Sequence, residues 1–383
     1  MAPSLLRVRD VQSETLIPDI EYEEMQVSAM SEIGIAVIGC GYWGQNLVRN
    51  FWEQEEAKVL MVCDLDGTLL ALTQRRYPSV ETTREYRDAL RHEGVDAVVL
   101  ATPVSTHYKF AREALEAGKH VLVEKPLATS SAEVLDLLDL AERRNRTLMV
   151  DHTFLFNPAV RRMKQLIDAG EVGELLYYDS VRINLGLVQS DTNVLWDLGP
   201  HDFSIMEYLC ELDPVSVSAA AVKHLDCPFE NIAYVTVRFD SKLIAHFHLN
   251  WLAPVKIRLT LVGGSKKMLV YDDMEPSEKV KVYDRGITVN LDREGRARLL
   301  AGYRKGDMFA PHLDTTEALR PMAQEFIRAI QEARPPMSSG IVGYRIVRLL
   351  EAAQRSIEQN SREIELGVPA FPRARSREQM AIV

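Results

Sequence analysis

The 383-residue sequence predicts an α/β protein with two domains, and two patterns carry this prediction. Between residues 33 and 150, short continuous apolar runs alternate with helical stretches. This is typical of a parallel sheet covered by helices on both faces. After residue 151, extended segments with alternating residues follow one another across turns, which predicts an α+β domain with an open, mostly antiparallel sheet.

The predicted elements of the first domain alternate between strand and helix. Strands are expected at 35–38, 59–63, 97–100, 120–123 and 148–150, with helices at 42–54, 68–76, 105–117 and 131–145. This order is that of a doubly wound domain that covers residues 33–150.

The second domain is predicted to cover residues 151–365. A helix at 157–169 precedes strands at 174–184, 214–223, 231–239, 242–250, 255–262, 267–272 and 279–284. Two helices, within about 320–359, close the domain, separated by Arg334-Pro335-Pro336. Residues 1–32 are predicted to be an N-terminal extension, either mobile or an arm that docks on a partner subunit, and residues 366–383 a tail.

Composition excludes several classes of protein. The net charge of -10 argues against nucleic acid as the main partner, because phosphate backbones require a basic surface. No apolar run approaches the roughly 20 residues that span a bilayer, and the first ten residues lack the apolar core of a signal peptide. We therefore expect a cytoplasmic protein without membrane contact. The four cysteines have no metal-ligand spacing, so we expect reduced thiols and no metal site.

A glycine-rich turn joins the first strand to the first helix. Gly39-Cys40-Gly41-Tyr42-Trp43-Gly44 fits the pattern G-x-G-x-x-G in the structural context that dinucleotide binding requires. The three glycines permit a tight turn, close approach to a pyrophosphate, and close packing of helix on strand. The helix N-terminus then stabilises the phosphate charge. This predicts a Rossmann domain whose cofactor site includes Tyr42 and Trp43.

Asp64 follows Gly44 by twenty residues, at the end of the second strand. A carboxylate there can accept hydrogen bonds from a ribose 2′-hydroxyl and would repel a 2′-phosphate, which favours NAD over NADP. Arg75 and Arg76 lie close in sequence and keep NADP open as the less favoured cofactor. Because ligands gather where parallel strands end, further cofactor contacts are expected at Ala101, Thr102 and Pro103. The expected cofactor contacts also include His107, Glu124 and Lys125. The alternative is that residues 101–103 form a plain strand-to-helix turn, in which Ser105 caps the helix.

Glu124-Lys125-Pro126 closes the fourth predicted apolar strand. A lysine at this edge of the sheet can donate a hydrogen bond to an oxygen that changes from alkoxide to carbonyl. The alternative is a solvated lysine paired with Glu124.

The segment from Trp196 to Asp202 supplies the second candidate. Pro200 is tolerated only in the first turn of a helix, so we expect a helix from about Asp197 to Tyr208. Asp197 and His201 would share a face, where the carboxylate would orient the imidazole and raise its proton affinity. That arrangement suits a general base. The alternative is Asp197 as a helix cap and His201 as a buried histidine.

The glycine turn, Glu124-Lys125-Pro126 and the spacing Asp197-x-Gly199-x-His201 together resemble the Gfo/Idh/MocA family of NAD(P)-dependent sugar and cyclitol oxidoreductases, over about residues 33–365. The resemblance implies dimers or tetramers assembled through the C-terminal sheet. It also implies that Lys125 and His201 are the catalytic pair, with Asp197 in support.

Two stretches, 151–158 and 184–196, resemble a branch concerned with nucleotide sugars. This implies NAD-dependent oxidation of a sugar ring hydroxyl, with C3 of UDP-N-acetylglucosamine or UDP-glucose favoured. Besides Lys125, Asp197 and His201, the expected substrate contacts are Phe154, Asn157, Arg161, Arg182, Asn184, Gln189, Asn193 and Trp196. A 3-ketosugar reductase, a dehydrogenase of a free cyclitol or aminoglycoside-type sugar, a non-catalytic NAD-binding protein and a hydrolase that uses NAD transiently remain alternatives.

Overall fold

The structure, a computed structural model, describes residues 32–185, 192–290 and 300–371. The predicted N-terminal extension up to residue 31, the candidate Gln189 and most of the predicted tail lie outside the described residues.

Within the described part of the first domain, six parallel strands form a sheet in the order β3-β2-β1-β4-β5-β6. The strands are β1 Ile33–Ile38, β2 Ala57–Cys63, β3 Glu81–Thr83, β4 Ala97–Leu100, β5 His120–Glu124 and β6 Leu148–Asp151. The helices are α1 Tyr42–Trp52, α2 Gly67–Arg76, α3 Tyr86–Arg91, α4 Val104–Glu116 and α5 Ser131–Arg144. The predicted doubly wound fold is confirmed, and β3 and α3 are additions too short to recognise in the sequence.

One predicted helix start is displaced. The residue that caps α4 is Pro103, and the helix begins at Val104, so Ser105 lies in its first turn and is not the cap. Proline suits this position because it has no N–H group to leave unpaired and its fixed φ is compatible with helix entry.

The described second sheet has nine strands in the order β16-β13-β12-β11-β7-β10-β9-β8-β17. Their bounds are β7 Leu175–Leu185, β8 Pro214–Val222, β9 Ile232–Phe239, β10 Ile244–Asn250, β11 Leu252–Gly264, β12 Met268–Asp272, β13 Val280–Tyr283, β16 Met308–Phe309 and β17 Ile364–Glu365. A separate hairpin pairs β14 Gly286–Asn290 with β15 Leu300–Arg304. All neighbours in the large sheet are antiparallel except β7 and β10, which confirms the predicted mostly antiparallel sheet.

The helices of this domain are α6 Pro158–Asp168, α7 Val194–Cys210, α8 Leu319–Gln331 and α9 Gly340–Glu358, with a short 3-10 helix at Thr153–Phe156. The core on one face of the large sheet includes Phe203 of α7, Phe247 of β10 and Leu350 of α9. Side chains on the opposite face, among them Tyr234 and Ile244, stay exposed. Within the described part of the chain, this face of the sheet is therefore open.

The two last helices return to the first domain. Phe326 of α8 packs edge-on against Phe51 of α1, with ring centroids 6.2 Å apart. Tyr344 and Val347 of α9 belong to the core formed by β4, β5 and α5. The division at residue 150 stays a prediction, because the segment 319–358 packs against both sheets.

Helix α7 begins one turn earlier than predicted. Asn193 is its cap, and the Asn193 side chain accepts a hydrogen bond from the Trp196 N–H at 3.1 Å. Pro200 therefore lies inside the helix, at an expected cost of about 3 kcal/mol. Most side chains of α7, including Phe203 and Ile205, are buried, and this packing outweighs the local preference of proline.

Candidate active site

The glycine turn has the shape that a dinucleotide pyrophosphate requires. Gly39 has a left-handed φ of +88°, and a Cβ there would lie 2.5 Å from the Ala101 carbonyl oxygen. A Cβ on Gly44 would lie 1.9 Å from the Gly39 carbonyl oxygen, whereas one on Gly41 would meet nothing within 4 Å. The first and third glycines thus permit close packing, and the second faces open space. Tyr42 and Trp43, beside this turn, are exposed.

Asp64 lies against the same turn. One carboxylate oxygen accepts a hydrogen bond from the Cys40 N–H at 2.5 Å, and the other accepts from the Asp66 N–H at 2.8 Å. Each oxygen can still accept a second bond, so the carboxylate is fixed in place and available to ribose hydroxyls. Arg75 and Arg76 are exposed on α2. These residues fit NAD.

Two expected cofactor contacts have other roles in this structure. The ring nitrogens of His107 lie 2.8 Å from the carbonyl oxygens of Pro126 and Thr102, so this buried side chain joins the loops after β4 and β5. Burial lowers the pKa of His107. Glu124 is turned into the interior, where one oxygen accepts from the Lys125 N–H at 3.2 Å. Ala101 and Thr102 are half-buried and Pro103 is exposed at the end of β4, as a ligand-facing edge requires.

Lys125 is paired with α7 and not with Glu124. Its ammonium donates to the main-chain oxygen of Asp197 at 2.8 Å and to Asp197 Oδ1 at 3.2 Å. The other oxygen, Oδ2, accepts from the indole N–H of Trp251 at 3.1 Å. An ammonium has three N–H donors, so one remains for a ligand.

Trp251 was missed as a site residue. Its sequence neighbours His246 and His248 lie on a different face of the sheet. The histidines are on the open face of the sheet, whereas Trp251 is 1% exposed on the opposite, packed face.

The expected pairing of Asp197 with His201 is wrong. Both oxygens of Asp197 bond to Lys125 and Trp251, and His201 Nδ1 is buried without a hydrogen-bond partner among the described residues. Burial lowers the pKa of His201 well below its ordinary value, and the charges of Lys125, Arg182 and Arg258 lower it further. The imidazole is therefore neutral near pH 7, so one ring nitrogen carries no proton, but the proton affinity of His201 is lowered and not raised as expected.

Phe154 forms an aromatic wall beside His201, with ring centroids 5.3 Å apart in an edge-to-face contact. The guanidinium carbon of Arg182 lies 4.6 Å from the Phe154 centroid, and that of Arg258 lies 5.9 Å from it. Arg182 is buried and makes a two-point ion pair with Asp202, at 2.7 and 3.1 Å. Its expected role as a substrate contact is therefore corrected, because its charge is already matched inside the protein.

Two more expected substrate contacts are helix caps. Asn157 accepts from the Ala159 N–H at 2.9 Å at the start of α6. Asn193, besides capping α7, donates to Glu230 at 3.1 Å and to Gln354 at 2.9 Å.

The remaining expected contacts lie in three different settings. Arg161 is exposed on α6 and lines a cavity of about 420 Å³ with His312 and Asp314, a cavity that does not include Lys125 or His201. Asn184 is half-buried near the end of β7, and Trp196 packs against the cores of both domains.

A buried group of ionisable side chains lies behind Lys125. Glu124 and Asp151 are neighbours in register at the ends of β5 and β6, and each has one oxygen without a partner among the described residues. Burial and the neighbouring Asp151 raise the pKa of Glu124 well above its ordinary value, and burial raises that of Asp151 to about 6. Two adjacent buried carboxyls cannot both ionise readily, so we infer that they share a proton. Burial and Lys125 lower the pKa of the adjacent His152 to about 3.

Among the described residues, no group of three potential ligands is arranged to hold a metal ion. No helix in the described part of the chain is both long enough and apolar enough to cross a membrane. All four cysteines are free thiols, as expected, and Cys40, Cys63 and Cys210 are buried.

Two family models match the chain. Residues 33–152 match the oxidoreductase family with an NAD-binding Rossmann fold, and residues 160–270 match the GFO/IDH/MocA C-terminal domain. Together with the observed fold, these matches show that the chain belongs to the GFO/IDH/MocA family of oxidoreductases and has an NAD-binding domain.

Individual relatives have different names. Glycosyl hydrolase family 109 protein 2 of Shewanella sp. (strain ANA-3) is 33% identical over 41% of this chain, which spans only 37% of that relative. UDP-N-acetylglucosamine 3-dehydrogenase of Acidithiobacillus ferrooxidans is 27% identical over 71% of this chain and 80% of its own length. The crystal structure of GenD2 from gentamicin A biosynthesis in complex with NAD covers 92% of this chain and 100% of its own, with a TM-score of 0.74 and 22% identity. This last likeness concerns the fold.

Proposed function

We propose that this protein is an NAD-dependent dehydrogenase that oxidises a ring hydroxyl of a sugar to a ketone. The observation that carries the proposal is the ammonium of Lys125, which Asp197 holds through two hydrogen bonds at 2.8 and 3.2 Å, close to a neutral His201. One charged donor and one neutral acceptor are the two groups that alcohol oxidation requires.

Each side chain has a separate task in this mechanism. The free N–H of Lys125 donates to the substrate oxygen and stabilises its negative charge as the proton leaves. Nε2 of His201 accepts that proton, because the ring is neutral and its Nδ1 is enclosed by protein. When bound, NAD supplies the acceptor for the hydride that leaves carbon. Asp197 and Trp251 keep the Lys125 ammonium in place.

The favoured substrate is a nucleotide sugar, with oxidation at C3 of UDP-N-acetylglucosamine or UDP-glucose. Similarity to UDP-N-acetylglucosamine 3-dehydrogenase over 71% of the chain supports this choice. A 3-ketosugar reductase and a dehydrogenase of free cyclitols or aminoglycoside-type sugars would use the same Lys125 and His201 chemistry. The alternative of a non-catalytic NAD-binding protein is less favoured, since it would have no need of the Lys125–Asp197 pair.

The test is NADH formation from NAD with UDP- and TDP-sugars, free sugars and cyclitols, in the presence of a carbonyl trap. Lys125→Met should keep NAD affinity within about twofold and lose at least about 10²-fold in kcat, the lower range for positioned proton donors. Lys58→Met is the matched control, since Lys58 is an exposed lysine of the same domain. Wild-type turnover by Lys125→Met would refute the mechanism.

A second candidate is a glycosidase that uses NAD transiently. The 33% identity to a glycosyl hydrolase family 109 protein supports it, although over only 41% of the chain. Release of free sugar from an added glycoside, measured directly and without net NADH formation, would identify this activity.

We also propose a homodimer or homotetramer assembled through the open face of the large sheet. That face exposes Tyr234, Ile244, Val255 and Ile257, each at least 36% exposed, and exposed apolar groups in one surface are typical of an interface. Sedimentation of wild type and of Ile244→Glu tests this: a lower mass for the variant is expected, and an unchanged mass would contradict the proposal.

A further inference from the structure

The substrate proposed above carries phosphates, yet the two arginines expected to contact the substrate have other places in the structure. Arg182 is matched by Asp202 and is 5% exposed. Arg161 lines a different cavity. A cation for the substrate must therefore come from another element near Lys125 and His201.

Arg258 of β11 meets this requirement. Its guanidinium lies 5.9 Å from the centroid of Phe154, whose ring in turn lies 5.3 Å from that of His201. The Arg258 side chain is 34% exposed, so a ligand can reach it.

Among the described residues, Arg258 shares its carboxylate partner with a second cation. One of its N–H groups donates to Asp273 Oδ2 at 3.0 Å, but Asp273 also accepts from the Tyr271 hydroxyl at 2.8 Å and lies 3.7 Å from the Lys279 ammonium. Two cations thus share one carboxylate, and Lys256, two residues earlier on β11, is exposed.

The position of Arg258 also carries a cost in stability. It is directly opposite Arg182 in the antiparallel pair of β7 and β11, so both side chains leave the same face of the sheet. Like charges in directly opposite positions destabilise a sheet. The contacts with Asp273 and with the Phe154 ring offset part of this cost. Recognition of an anion would give the second arginine a function, because a guanidinium fork matches phosphate and carboxylate oxygens.

We propose that Arg258 is a specificity-determining residue that binds an oxyanion of the substrate. The shared chemistry is that of a phosphate or carboxylate oxygen, which comes either from the diphosphate of a nucleotide sugar or from the carboxylate of a sugar acid. This inference rests on the proposed function, since it places the anion beside the hydroxyl that Lys125 and His201 would oxidise.

The experiment compares Arg258→Met and Arg258→Lys with wild type, in complex with NAD. The matched control is Arg238→Met, since Arg238 of β9 is 59% exposed and pairs with Glu363 at 3.4 Å. Calorimetry measures binding of UDP and of glucuronate as separate probes. Steady-state assays measure KM for anionic and neutral sugars.

We expect Arg258→Met to raise Kd at least tenfold for one of the two probes, and the probe affected identifies the source of the oxyanion. The Kd of Arg258→Lys should lie between those of wild type and Arg258→Met, because lysine keeps the positive charge but lacks the planar guanidinium that donates two parallel hydrogen bonds. KM should rise at least tenfold more for the matching anionic substrate than for a neutral sugar, with no such change in Arg238→Met. If Arg258→Met does not fold, the Arg258→Lys comparison decides the question.

The outcomes separate the two proposals. If wild type and Arg258→Met bind each probe with the same Kd, or if neither protein binds either probe, Arg258 does not bind the oxyanion. That conclusion would hold even if wild type oxidised neutral sugars. Probe binding that depends on Arg258, without any NADH formation, would refute the dehydrogenase and leave the anion site intact.

Discussion

Replacement of Trp251 by Phe tests whether the buried indole acts on catalysis through Asp197. The substitution removes one hydrogen bond, the 3.1 Å contact between Trp251 Nε1 and Asp197 Oδ2, and leaves an aromatic ring in the core. Asp197 keeps its contacts with Lys125 but loses the restraint on the far side of its carboxylate. A hydrogen bond to a charged group contributes about 1.5–3 kcal/mol. If that energy holds the Lys125 ammonium in position, kcat should fall by about 10- to 100-fold.

The assay is a double-mutant cycle with Asp197→Asn, measured as kcat, KM and NAD affinity. In the Asp197→Asn background the further effect of Trp251→Phe on kcat should be less than about threefold, because the shared partner is already altered. Tyr178→Phe is the control, since Tyr178 is a fully buried aromatic of the same core whose hydroxyl donates elsewhere, to the Asp202 carbonyl. If the effects of Trp251→Phe and Asp197→Asn on kcat are additive, or if Tyr178→Phe lowers kcat as much as Trp251→Phe does, Trp251 does not act on catalysis through Asp197.

Three further predictions concern stability and cofactor binding. The folded state raises the pKa of Asp151 from 3.8 to about 6, so its stabilising contribution is full below about pH 4 and is lost as pH rises through 6. Asp151→Asn should therefore gain up to about 3 kcal/mol in unfolding free energy relative to wild type between pH 4 and 7, measured by urea denaturation. Arg182→Met should cost about 3–5 kcal/mol by leaving Asp202 buried without its cation, and Arg182→Met/Asp202→Leu should recover most of that. Gly44→Ala should weaken NAD binding at least about tenfold, because its Cβ would meet the Gly39 oxygen at 1.9 Å.

Each of these predictions has a result that would contradict it. A difference between Asp151→Asn and wild type that does not change with pH would mean that Asp151 titrates normally in the folded state. If Arg182→Met and Arg182→Met/Asp202→Leu lose the same unfolding free energy, the unpaired buried charge of Asp202 is not the cause of the loss. NAD binding by Gly44→Ala as tight as that of Gly367→Ala, where no atom lies within 4 Å, would refute the packing argument.

The elements that could be read from the sequence are those whose signals are local. The glycine turn before α1, the strand ends at Asp64 and Lys125, and the alternation in β7 to β13 each lie within a few consecutive residues. Short-range periodicity and turn chemistry determine such features, so the fold and the cofactor followed from them. The family was expected from the resemblance of three short motifs to its members. The short edge strand β3 was missed because three residues carry no detectable period.

The partners of each candidate side chain depended on distant parts of the chain. Sequence spacing placed Asp197 and His201 on one helical face, but Lys125, 72 residues away, and Trp251, 54 residues away, take both carboxylate oxygens. The charge of Arg182 was visible in the sequence, and its neutralisation by Asp202 was not.

The sequence by itself determined the architecture, the NAD-binding turn and the residue types at the centre of the site, because periodicity and motif spacing are local properties. Only the tertiary structure decided which charged side chains pair and how deeply each is buried. It assigned Asp197 to Lys125 and Trp251, left His201 neutral, enclosed Arg182 and left Arg258 half-buried. Charge pairing and burial depend on which strands and helices meet in space, and one-dimensional spacing does not contain that information.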